Sequence, residues 1–124
     1  MVGAYAAVGF AASAAPKALW SANPVTLTFS GSAGSGSVTE DVKCAPKIAD
    51  VNFKTSVSNP TKVSLTTNPT GEASCGPAPD PVTVTAHCLV AAPACKGTYT
   101  GTVTIFQGYY STIPPSLAVN IVVT

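Results

Sequence analysis

Arginine is absent from this chain, and charge of either sign is scarce. Only 9% of its 124 residues are charged, against the ~25% usual in globular domains. The six basic residues are all lysines, scattered at 17, 43, 47, 54, 62 and 96. Nucleic-acid recognition leans on clustered Arg and Lys to hold phosphates and read base edges. No nucleic-acid partner is therefore expected, and attachment to anionic lipid lacks the same cluster. Histidine is reduced to His87 alone, and the acids are Glu40, Asp41, Asp50, Glu72 and Asp80. Glu40 and Asp41 are adjacent, so on a strand they point to opposite faces and cannot act as a general acid/base pair. Asp80-Pro81 reads as a turn before a strand. No G-x-S-x-G elbow, phosphate loop or H-E-x-x-H occurs. Catalysis needs converging titratable groups, so the chain is read as a non-enzyme with no cofactor and no metal. Membrane spans need ~20 strongly apolar residues, and none is expected in the mature chain. Asn-x-Ser/Thr acceptors with a permitted middle residue are also missing. N-glycosylation is thereby excluded as a stabilising device.

What the sequence does hold is an apolar interior and a hydroxyl-rich surface. Hydrophobic residues make up 46%. That is too much for a disordered chain, which needs high charge and low hydrophobicity. The length suits one domain of ordinary size. Cysteines stand at 44, 75, 88 and 95. An even count in a small, charge-poor chain reads as disulfides formed in an oxidising compartment. A zinc site is disfavoured because no C-x2-C pair exists. Four cysteines allow three connectivities. Loop closure favours Cys88–Cys95, across Leu89–Ala94, together with Cys44–Cys75, which ties a strand end to a Gly-Pro-rich loop.

From residue 24 onward the chain follows a period of two, broken by turn residues. Val25, Leu27 and Phe29 alternate with Thr, the mark of a half-buried strand. Val38, Val42 and Cys44 carry a second strand, in which Glu40 is the odd inward member. Val51–Val57, Val63 with Leu65, and Val82, Val84, Ala86 with Cys88 carry three more. Tyr99, Val103 and Ile105 mark a sixth. Leu117, Val119, Ile121 and Val123 mark a seventh. Strand residues are mostly Val, Thr, Ile, Tyr and Phe, in keeping with β-propensity. The eleven prolines fall in breaks or at strand starts, where a missing N–H matters least. The expectation is an all-β, seven-stranded immunoglobulin-like β-sandwich over 20–124 with an N-terminal extended arm over 1–19.

Lys96-Gly97-Thr98-Tyr99-Thr100-Gly101-Thr102-Val103-Thr104-Ile105 and Leu117–Val123 look like the last two strands of BACON-type domains. Leu27-Thr28-Phe29-Ser30-Gly31 resembles the same family. These are immunoglobulin-like modules of surface and secreted microbial proteins. The resemblance spans roughly 24–124 and implies a sandwich and, for some such modules, carbohydrate binding. Tyr99 beside Gly97 also suits a tyrosine corner, the hydroxyl folding back on the preceding loop.

The arm has no charge before Lys17. Ala12-Ser13-Ala14 has the form of a signal-peptidase site, although no basic residue precedes the apolar run. A pilin-like helix is a second reading, with Gly3 and Gly9 each costing ~1 kcal/mol. A donor strand is the third and favoured one. Val2, Ala4, Ala6, Val8, Phe10 and Ala12 fall on one side at period two, with Tyr5 on the other. Such a strand can lie between sheets and pair with an edge of a neighbour. Left in water it is an aggregation hazard.

The resulting expectation is a structural subunit of an extracellular, cell-surface filament or pilus-like homopolymer, joined by donor-strand complementation. The alternatives are a carbohydrate-binding or adhesion module and a virion decoration protein. Trp20, Tyr109 and Tyr110 are the aromatic candidates for surface binding.

Overall fold

The computed structural model describes residues 15–108 and 111–124. Among them the chain is all-β, with nine strands and no helix. The strands are β1 (Lys17–Trp20), β2 (Val25–Phe29), β3 (Ser35–Ala45), β4 (Ile48–Val57) and β5 (Val63–Asn68). After them come β6 (Gly71–Cys75), β7 (Asp80–Cys88), β8 (Gly97–Gln107) and β9 (Ser111–Val123). They form a four-stranded sheet, β1-β3-β7-β5, and a five-stranded sheet, β2-β9-β8-β4-β6. All neighbours are antiparallel except β2, which runs parallel to β9.

Period-two alternation places one face of each sheet in a common core. Val42, Val63, Val82, Val84 and Ala86 come from the first sheet, and Val103, Ile105, Leu117 and Ile121 from the second. All are essentially without exposure. Gly101 sits in the middle of β8 because the core has no room for a side chain there. A Cβ would lie 2.8 Å from Leu65 Cδ2.

The nine strands correct the expectation of seven. The additions are β1 and β6. β1 is only four residues long, yet Ala18 and Trp20 point inward, so it takes in residues 17–19 of the segment read as arm. β6 is Gly-Glu-Ala-Ser-Cys and has no β-branched residue to announce it. β9 also starts earlier than its apolar run. Pro114 and Pro115 lie within it, not in a break. They are tolerated because β2 pairs β9 only from Val119 onward, and the β8–β9 register shifts between Val103 and Ile105. Asp50 is the single non-glycine with positive φ among the described residues, at 55°. Ile48 and Val51, three residues apart, are both buried, so the alternation changes phase across Asp50.

Candidate functional site

Each sequence-singled aromatic has a different fate. Trp20 is buried, only 6% exposed. Its Nε1 donates to the Pro115 carbonyl at 3.1 Å, tying β1 of one sheet to β9 of the other. Trp20 as an exposed stacking surface is thus corrected, because the ring is spent on closing the sandwich. Tyr109 and Tyr110 lie outside the described residues. So do Val2, Ala4, Tyr5, Ala6, Val8, Phe10 and Ala12 of the arm. Tyr99, at the start of β8, is buried and its hydroxyl donates to the Cys95 carbonyl at 2.7 Å. This is the geometry of a tyrosine corner.

Both disulfides form in the favoured pairing, Cys44–Cys75 and Cys88–Cys95. Two disulfides mark a chain that folds in a non-reducing environment. They also mark the two ends of the sandwich. At the Cys44–Cys75 pole, β1 begins with Lys17 opposite Ala45, the last residue of β3. At the Cys88–Cys95 pole, the Cys88 N–H donates to Gly34 O, and Gly31 and Phe29 bond the backbone of Thr124 just past β9. The chain therefore enters the sheets at one pole and leaves the last strand at the other. The eleven residues of β3 between them span about 33 Å.

The crossover from β1 to β2 is locked by side chains. Ser21 turns the chain off β3: its N–H donates to Asp41 O at 2.9 Å and its Oγ donates to the Glu40 carboxylate. Asn23 then grips β9. Its Nδ2 donates to Ser116 O at 3.0 Å, and its Oδ1 accepts from Ala118 N–H at 2.9 Å. These contacts hold β2 parallel on β9.

Charge is divided between the poles. Glu40, Asp41 and Asp80 lie beside Val42, and Asp50 and Glu72 lie where β4 pairs β6 next to Cys75. All five carboxylates sit in the half nearer Cys44–Cys75, with Lys17, Lys43 and Lys47, a net of −2. Lys54 lies near the middle, opposite Thr104, and Lys62 and Lys96 make +2 at the Cys88–Cys95 pole. The three groups, −2, +1 and +2, add to the chain's +1.

Two large apolar side chains among the described residues are exposed, Leu19 at 66% and Leu89 at 53%. Leu19 lines a groove of about 420 Å³ with Trp20, Ser21, Asp41, Lys43 and Pro79. Leu89 opens the loop Leu89-Val90-Ala91-Ala92-Pro93-Ala94, which carries no polar side chain and is stapled by Cys88–Cys95. A second groove, about 500 Å³, is lined by Asp50, Asn52, Phe53, Lys54, Thr70 and Gly108. Beside it Lys54 Nζ stands 4.6 Å from the centre of the Phe106 ring. His87 is exposed on β7, where its register neighbours are Ser35 and Ser64. Neither Leu19 nor the exposed face of Leu89–Ala94 is among the surface-binding residues expected from the sequence. The unbroken apolar character of the loop was the available signal.

No family model matches the chain, and no curated protein does. Among solved structures, a GH5 xyloglucanase from Bacteroides ovatus, in complex with a XXXG heptasaccharide, is similar in fold. The TM-score is 0.51 at 17% sequence identity, and the match covers 87% of this chain and 19% of that chain. The chain therefore spans about a fifth of the length of that protein, and the likeness is one of fold.

Proposed function

We propose that this chain is a non-catalytic, extracellular structural unit that assembles head to tail, with residues 1–14 of one copy engaging the next. The observation that supports it best is the axial path of the chain. β1 begins at the Cys44–Cys75 pole, with Lys17 opposite Ala45, the last residue of β3. The opposite pole is where a neighbour's arm arrives if copies stack along one axis. A heterologous contact of this kind does not close on itself and builds an open polymer.

The sheet orders favour an immunoglobulin-like module. β1-β3-β7-β5 corresponds to an A-B-E-D sheet and β9-β8-β4 to G-F-C, with β2 as the part of strand A that crosses over. β6 is an addition on the outer side of β4. The BACON-type resemblance belongs to the same reading. In this scheme β9 supplies the last strand from its own chain, so the arm adds to an edge and replaces nothing. Deleting residues 1–14 tests the proposal. Folded monomers by light scattering are expected where the intact chain forms fibres under negative stain. An unchanged distribution of sizes sinks it.

The carbohydrate-binding alternative draws on one observation, the groove at Asp50, Asn52, Lys54 and Thr70 beside Phe106. The neighbouring fold lies within an enzyme solved with a heptasaccharide. Retardation of the chain in gels containing xyloglucan, lost in Asn52→Ala, is its test.

A further inference from the structure

We propose that the loop Leu89–Ala94 of one copy docks on the Leu19–Pro79 groove of a second copy. The proposal rests on the head-to-tail reading and names the surfaces that meet. Soluble monomers rarely leave a contiguous apolar patch without a use. Here Leu89, Ala91, Ala92, Pro93 and Ala94 are all exposed. The loop is held on a stiff base. Cys88–Cys95 closes it, Tyr99 hydroxyl bonds Cys95 O, and the Leu89 N–H donates to Lys62 O at 2.8 Å. A loop so constrained loses little conformational entropy on docking.

Its counterpart is the groove at the other pole. Leu19 is the most exposed large apolar side chain among the described residues, and Pro79 shares the groove with it. Charge agrees with this pairing. Lys62 and Lys96 flank the loop; Asp41 and Lys43 both line the groove, which lies within the half that carries −2, with Glu40 and Asp80 adjoining it in sequence. Stacking copies in one sense sets the basic pole against the acidic half. Stacking like poles together opposes like charges, which costs association. The contact is therefore heterologous, and each copy uses its loop once and its groove once. One docking covers both of the exposed leucines.

Analytical ultracentrifugation of the full chain tests this with Leu89→Asp and Leu19→Asp. Both sites are exposed, so both variants keep the β-sheet circular-dichroism spectrum of the parent. Each is expected to weaken self-association at least about tenfold, as a charge placed in an apolar contact does. Mixing the two is the stronger test. The intact loop of one variant meets the intact groove of the other, so the mixture associates more tightly than either alone. A mixture no tighter than its components overturns the docking. If deletion of residues 1–14 abolishes assembly while Leu89→Asp leaves it unchanged, the docking falls and the head-to-tail reading stands. If the intact chain is monomeric at every concentration, both fall.

Discussion

Tyr99 shows how one side chain can hold an end of the sandwich. Its ring is buried in the core while its hydroxyl reaches the Cys95 carbonyl. Tyr99→Phe keeps the ring and leaves that carbonyl without its partner. The expected loss is about 1–3 kcal/mol, read as a lower urea midpoint at unchanged slope. Trp20 illustrates the limit of residue-level reading. A lone Trp before a strand serves equally as a sugar platform or as a core lid. Only the position of the Pro115 carbonyl, 95 residues away, decides for the lid. Leu19 is the converse case: Ala18 and Trp20 point in, so this large apolar side chain faces out.

Strands rich in Val and Thr announce themselves, because the alternation of apolar and hydroxyl side chains is itself the inside–outside pattern. That made β2, β3, β4, β5, β7 and β8 and the end of β9 legible. β1 and β6 were not, for a physical reason. Each is four or five residues long and owes its extended form to pairing with a longer neighbour, not to its own propensity. The disulfide pairing was legible from loop closure, and the loops it closes differ in size. Cys44–Cys75 spans 31 residues and Cys88–Cys95 spans 7. Chain entropy then assigns the longer loop the larger effect. Replacing both cysteines by Ala is expected to cost about 3.7 kcal/mol at 44/75 and about 2.4 kcal/mol at 88/95. Thermal unfolding of the two double variants checks the order, and a greater loss at 88/95 contradicts it.

At the scale of the molecule, the separation of charge is the property with consequences. Lys62→Glu with Lys96→Glu removes the positive pole and sets like charge against the acidic half of a neighbour. Assembly followed by light scattering at low ionic strength is expected to slow. The difference should fade at high salt, where the screening length shrinks to about 3 Å at 1 M. A double variant that assembles as fast as the parent at low salt contradicts the polar arrangement. Periodicity, turn residues and cysteine spacing by themselves determined the all-β class, the inward faces of most strands and the favoured disulfide partners. Each of these follows from local alternation or short loop closure. Which strands become neighbours, what Trp20 covers, and how acids scattered over forty positions gather in one half were decided by the tertiary structure. Those are outcomes of long-range pairing, and residues that meet through a sheet register leave no mark in their order along the chain.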